Sequence, residues 1–165
     1  MANDVVKFVD SIAASPTTRL DLNDGTTFTL GAAIVAPPPQ IRSTVSSNAM
    51  TDGGFQSSSR YDYRVIHLDL ILNVATQDAA ATALQNLHRE LDRETNYLKW
   101  QPDGATSPLF YRTWRTSPLQ IIDQPAARAV YYVTLEIPAD PFGAGTLETI
   151  SVGTVRNDPA AANGC

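Results

Sequence analysis

The sequence predicts a mainly β fold with one α-helix: an antiparallel β-sandwich or partly open barrel flanked by that helix. Three observations predict it. Apolar and polar residues alternate along 61–74 and 128–138, the period of strands that bury one face. Only 76–98 carries apolar residues at sustained three- and four-residue spacing, as one amphipathic helix does. Strand-like runs stand both before and after this lone helix, which argues against a series of β-α-β units.

Length and composition bound the reading. The 165 residues suit one domain, expected over 1–155, with 156–165 as a tail or linker; a chain of this size supports a core without metal or disulfide staples. A hydrophobic share of 43% with 18% charged residues belongs to a globular protein. The net charge of −5 leaves no electrostatic footprint for duplex nucleic acid. Cys165 is the only cysteine, so no intrachain disulfide forms. The start, "MANDVVKFVDSIAAS", mixes Asp4, Lys7 and Asp10 into its apolar residues and lacks the continuous apolar region of a secretory signal. No window reaches the roughly 18 uncharged apolar residues of a membrane helix. A soluble protein made in a cytoplasm, with no membrane insertion, is expected.

Along the chain, "VVKFVDSIA" fits either a short strand or one helical turn. In "TRLDLNDGTTFTLG", Leu20 and Leu22 alternate with polar residues, "NDG" at 23–25 has turn chemistry, and "TTFTL" resumes a β-rich run; a hairpin is predicted. Residues 36–58 hold "APPPQ", "SSNAM", "DGG" and "SSS", with Ile41, Val45 and Phe55 as the plausible anchors. They predict a long flexible loop, extended at its prolines, of the kind that is functional or disordered. The strand 61–74 then points Ile66, Leu68, Leu70, Leu72 and Val74 one way, and Tyr63, Val65, His67, Asp69, Ile71 and Asn73 the other. The first set is a core face; the second suits water or another subunit.

The helix is predicted over 76–98, with Thr76 as N-cap, Asp78 in the first turn, and Ala80, Ala83, Leu84, Leu87, Leu91 and Leu98 near one stripe. Glu90 with Arg93 and His88 with Asp92 are expected pairs on its outer surface. Strands follow at 108–117, 119–123, 128–138 and 147–155, with a turn at "QPAA". In "RAVYYVTLEIP", Ala129, Tyr131, Val133, Leu135 and Ile137 form one face; Arg128, Val130, Tyr132, Thr134 and Glu136 form the other.

Candidate chemistry is sparse. The two histidines are His67 and His88; His67 and Asp69 share a strand face, but a metal site lacks a third ligand and no H-E-x-x-H or C-x-x-C spacing exists. No G-x-S-x-G elbow supports a nucleophile, and the glycines at 52–54 and 143–145 lack phosphate-loop context. No catalytic residue, metal or cofactor is expected. In "YRTWRTSP", Arg112 and Trp114 are read on one face, with Tyr111, Thr113 and Arg115 on the other, residue types enriched at protein interfaces.

The order of "LDLNDGT", a Pro- and Ser-rich loop, "YDYRVIHLDLIL", "LHRELDRETNYLKWQP", "YRTWRTSP" and "YYVTLEIPADPFGAG" resembles the N-terminal domain of the distal tail (minor tail) proteins of long-tailed bacteriophages, especially those of actinobacteria. The likeness covers about 18–160 and lies in order and spacing, not in one diagnostic motif. It implies a tail-tube-like fold and a ring, typically a hexamer, at the end of the tail tube. Such a ring joins the tube to the tip or baseplate around a lumen for DNA. Implied partners are further copies of the chain, the tail-tube protein, the hub or tip proteins, the tape measure protein, and genomic DNA in transit. The implied location is the virion, after assembly in the host cytoplasm. The resemblance makes the 36–58 loop, with Pro37, Pro38, Pro39, Ile41 and Phe55, a subunit-interface element. It makes Tyr63, His67, Asp69, Arg112, Arg115 and Glu136 candidates for an interface or lumen face. Relatives often continue into a second β-rich domain, whereas only a short tail follows here. A tail-tube or tail-terminator subunit shares the implied fold. A carbohydrate-binding β-sandwich is the alternative from another class, with Trp100, Trp114 and Tyr111 as stacking residues; it requires an exposed coplanar pair of those rings.

Overall fold

The computed structural model describes residues 4–34, 39–47, 54–115, 120–123 and 129–147. In chain order the elements are β1 (Val5–Val9), β2 (Thr18–Asp21), β3 (Phe28–Ile34), β4 (Ile41–Ser47), β5 (Gly54–Tyr61), β6 (Arg64–Asn73), α1 (Gln77–Leu91), β7 (Asn96–Gln101), β8 (Leu109–Thr113), β9 (Gln120–Asp123) and β10 (Val130–Ala139). Seven strands run in the order β2-β1-β7-β8-β10-β6-β3, all neighbours antiparallel, and β9 joins the side of β10. The hairpin β4-β5 is a separate two-stranded sheet.

The spine of the fold is the pairing of β6 with β10 along their whole length, from Asn73 opposite Val130 to Arg64 opposite Ala139. Alternation in both strands agrees with the pattern read from the sequence. Ile66, Leu68, Leu70 and Leu72 are buried, as are Tyr131, Val133, Leu135 and Ile137. Val6 and Phe8 of β1, Leu98 of β7, Tyr111 of β8 and Phe28 and Leu30 of β3 join the same core, with Ala80, Ala83, Leu87 and Leu91 of α1. The two alanines let the helix backbone approach the apolar side of the sheet. Thr76 caps α1, its hydroxyl accepting from the Ala79 N–H at 3.2 Å, which satisfies one of the otherwise orphaned donors of the first turn.

The sheet curls but does not close. β2 and β3 lie at opposite ends of the strand path although only residues 22–27 connect them. Asn23 spans the gap: its Nδ2 donates to the Asp4 carbonyl at 2.8 Å, and its Oδ1 accepts from the Leu30 N–H at 3.1 Å. The hairpin expected from "LDLNDGTTFTL" is therefore not formed. Its turn chemistry is real: Gly25 has φ of 71°, and Asp24 Oδ1 accepts from the N–H groups of Thr26, Thr27 and Phe28 at 2.9, 2.7 and 2.9 Å. Burial pushes the Asp24 carboxyl up, but those three bonds outweigh it and leave it below the usual carboxylate value. The strands on either side take non-local partners instead, β1 for β2 and β6 for β3.

Two further expectations are corrected. The helix ends at Leu91 with Asp92 as its C-cap, and not at 98. Leu98 lies on β7 and reaches the same core from there, because seven residues beyond Leu91 falls in phase for either path. Asn96 fixes the break: its Nδ2 donates to the Glu90 carbonyl at 3.0 Å, drawing the chain out of the helix, while its own carbonyl accepts from the Thr113 hydroxyl at 3.2 Å. Glu90 pairs with Arg93 as expected, at 2.6 and 2.9 Å, but the carboxylate is buried rather than on an outer surface. Its hydrogen bonds and charge raise the Arg93 pKa above the ordinary guanidinium value. Asp92 turns its carboxylate to Arg115, at 2.8 Å.

The second correction concerns 36–58, expected as a loop. Residues 41–47 and 54–61 pair as β4 and β5, from Ile41 opposite Tyr61 to Ser47 opposite Gly54. Serine and threonine carry little hydrophobic signal, yet their backbones ladder as well as any other, and the Arg42–Asp62 ion pair at 2.6 Å fastens the base. The expected strand 108–117 is shorter, ending at Thr113, so Trp114 lies beyond it. Pro37, Pro38, the turn "QPAA", the expected strand beyond Leu147 and the tail 156–165 lie outside the described residues.

Candidate assembly surface

The outer face of β6 and β10 carries cross-strand polar pairs. His67 stands opposite Glu136, Nδ1 to Oε1 at 3.5 Å, and Asp69 Oδ1 accepts from the Thr134 hydroxyl at 2.7 Å. The remaining outward positions are Val65, Ile71, Asn73, Val130, Tyr132 and Pro138. No lysine or arginine faces outward from these two strands, and the carboxylates of Asp69 and Glu136 give the face an acidic character. Directly opposite partners across an antiparallel pair interact in this way, at a few tenths of a kcal/mol to about 1 kcal/mol each.

At the end of this face, where β5 turns into β6, large apolar side chains stand in solvent. Ile41, Tyr61, Tyr63, Trp114 and Phe142 are 43–58% exposed. Tyr61 and Phe142 meet edge to face with centroids 4.9 Å apart, and Tyr63 and Trp114 lie tilted at 5.9 Å. Trp114 is held by its Nε1 donating to Asp140 at 3.0 Å and by its backbone N–H donating to the Pro138 carbonyl at 2.9 Å. The exposure of the four rings is therefore an arrangement the fold maintains, and contiguous exposed apolar side chains mark an interaction surface. A cleft of 300 Å³ connects this cluster to the strand face, lined by Gln40, Asp62, Tyr63, Arg64, His67 and Glu136 among others.

The structure thus brings Tyr63, His67 and Glu136 together at one cleft, with Asp69 two residues further along β6 and Ile41 beside the hairpin root. Arg112 and Arg115 do not join them. Arg112 projects from β8 opposite Tyr97, and Arg115 is tied to Asp92 at the end of α1. Pro39 precedes β4, and Phe55 lies on β5. Sequence reasoning missed Tyr61 and Phe142. A phenylalanine in the turn-forming run "DPFGAG" was the available signal, since no strand there buries it.

The three rings read as sugar-stacking residues are not a platform. Tyr111 is buried with the Arg64 guanidinium 5.0 Å from its ring centroid, Trp100 is half-buried against the core, and Trp114 alone is exposed. Among the described residues no three His, Cys, Asp or Glu side chains converge as metal ligands. Among them, too, no helix is long and apolar enough to cross a membrane.

No protein-family model and no curated protein sequence matches the chain. Solved structures do. The Dit protein (gp 19.1) of phage SPP1, described as a paradigm of the hub adsorption apparatus in phages infecting Gram-positive hosts, is similar over 86% of this chain with a TM-score of 0.61 and 17% identity. The baseplate of phage p2 in its activated conformation matches over 83% of this chain, with TM-scores of 0.59 and 0.56 in its strontium and calcium forms, at 8% identity. The chain covers 52% of the SPP1 protein and 43% of the p2 chains, about half the length of these relatives. The open antiparallel sheet and its helix are therefore a fold that this chain shares with the SPP1 Dit protein and the p2 baseplate chains.

Proposed function

We propose that this chain is a structural, non-catalytic subunit of a ring at the distal end of a bacteriophage tail, joining the tail tube to the tip or baseplate around a DNA-conducting lumen. The observation that carries the reading is the exposed cluster Ile41, Tyr61, Tyr63, Trp114 and Phe142 at the root of an isolated hairpin, on a fold shared with hub proteins. A two-stranded hairpin has little stability alone, and aromatic side chains left in water favour a partner. A closed ring of one chain requires two different patches on each subunit; the hairpin root is one of them. The acidic face of β6 and β10 suits a lumen wall, because like charge keeps passing DNA from adhering. The tail-tube protein would lie on one side of the ring, the hub and tape measure proteins on the other, and the finished assembly would be part of the virion.

The test is the mass of the purified protein by light scattering, with negative-stain images of the same sample. Hexameric rings with a central hole are the expected result, and the double variant Trp114→Ser/Phe142→Ser is expected to leave them as monomers with an unchanged circular dichroism spectrum. A wild-type monomer throughout the accessible concentration range would overturn the reading.

A further inference from the structure

The hairpin root has a second side, opposite the one that carries Ile41 and Tyr61. On it Arg42 stands directly across from Arg60, and Thr44, two residues further along, directly across from Ser58. Residues two apart on a strand share a face, so these four form one polar patch. All four are exposed, and the two hydroxyls lie 3.4 Å apart.

Like charges set directly opposite across an antiparallel pair weaken it, and a two-stranded ribbon has little stability to lose. The main sheet holds a comparable pair, Lys7 across from Lys99. There the Asp21 carboxylate, 2.7 Å from Lys7 Nζ, offsets the repulsion. At the hairpin the compensation is partial. Arg42 Nε meets Asp62 Oδ2 at 2.6 Å, yet its side chain stays 74% exposed. The other Asp62 oxygen accepts from the Tyr63 N–H at 2.9 Å, so both oxygens of that carboxylate are engaged. No ion pair among the described residues includes Arg60.

We propose that Arg42 and Arg60, with the hydroxyls of Thr44 and Ser58, form a phosphate-binding site. A guanidinium presents a planar fork of N–H donors that matches two oxygens of a phosphate. One fork satisfies a carboxylate, whereas a second guanidinium and two hydroxyls suit the further oxygens of a tetrahedral anion. The bound group turns the repulsion between the arginines into a bridge across the ribbon. Inorganic phosphate and the phosphodiester of a polymer supply the same chemistry. The site stands apart from the ring reading, because it lies on the other side of the ribbon from Ile41 and Tyr61.

The experiment titrates the isotope-labelled full chain with inorganic phosphate and, separately, with a short oligothymidylate. Backbone amide signals of residues 42–44 and 58–60 and the arginine Nε–H signals are followed. Saturable shifts at these residues are expected, weakened at least tenfold in Arg42→Gln and in Arg60→Gln. Arg112→Gln, which alters an exposed arginine on β8, is expected to bind as the wild type does, and unchanged circular dichroism shows that each variant is folded. Equal affinity for the two probes identifies free phosphate as sufficient; tighter binding of the strand, displaced by phosphate, identifies the phosphodiester. A tetraglutamate peptide that binds as well as either probe would overturn the assignment to phosphate. Equal losses in Arg60→Gln and Arg112→Gln would replace the site with diffuse attraction, and the lack of saturable shifts with both probes would overturn it outright.

Discussion

Replacing Asn23 with alanine tests the idea that one side chain holds the two ends of the open sheet together. The change removes the bond to the Asp4 carbonyl and the acceptor for the Leu30 N–H, at 2.8 and 3.1 Å. The Asp4 carbonyl is near the chain start and regains water, a loss of about 0.5–1 kcal/mol. Leu30 is 5% exposed, so its N–H loses its acceptor away from solvent, which costs about 1–3 kcal/mol. The sum is about 1.5–4 kcal/mol, or roughly 3–16 °C in Tm for a chain of this length. Urea unfolding followed by far-UV circular dichroism measures it, and amide exchange at Leu30 should quicken in parallel. Asn23→Asp keeps the acceptor and loses the donor, and should fall between wild type and alanine. A loss of stability under about 0.5 kcal/mol for Asn23→Ala, the range of an ordinary surface change, would refute the clasp.

Two other outcomes follow from the geometry. A Cβ on Gly143 would sit 2.9 Å from Cε1 and Cζ of Tyr111, a ring held between the core and Arg64; Gly143→Ala should cost about 1–3 kcal/mol, whereas Gly145→Ala, with nothing within 4 Å, should be near neutral in the same denaturation assay. Because the Asp24 carboxyl is depressed in the folded state, its contribution is present above the ordinary carboxylate value of 3.8 and is lost as pH falls through the lower folded value. Tm measured from neutral pH into acid should therefore fall less steeply below that value in Asp24→Asn than in the wild type.

What the sequence made legible was each strand's own division into faces. Ile66, Leu68, Leu70 and Leu72 against His67 and Asp69, and Val133, Leu135 and Ile137 against Thr134 and Glu136, were assigned from alternation alone, since side-chain direction in a strand is a local property. Thr76 and the alanines after it located the helix start for the same reason. Pairing is not local. Nothing near Leu20 says that β2 lies against β1, and the turn at Asp24 satisfies its own bonds whichever strands flank it. The hairpin 41–61 was hidden because its serine-rich strands show no regular apolar alternation, and alternation is the signal by which a strand is read. The helix end was misplaced because Leu98 fits the helical stripe while Asn96 exerts its effect through a backbone carbonyl that no spacing rule counts. Of the candidate surface, Tyr63, His67, Asp69 and Glu136 were readable from strand faces; the cluster completed by Tyr61 and Phe142 required knowing which loops meet.

The placement of β1 between β2 and β7 has a consequence for biosynthesis. Lys7 is laddered to Lys99, and β3 to β6, while β6 itself stays half-paired until β10 arrives. The first strand off the ribosome thus finds β2 at once but waits longest for its second neighbour, β7. Pairings so distant in sequence put a domain among the slow folders, in milliseconds to seconds rather than microseconds, and leave apolar strands such as "VVKFV" open to wrong partners during synthesis. Copies of the chain made together would meet in that interval, so the yield of folded protein is set by nascent-chain protection as much as by the stability of the finished subunit.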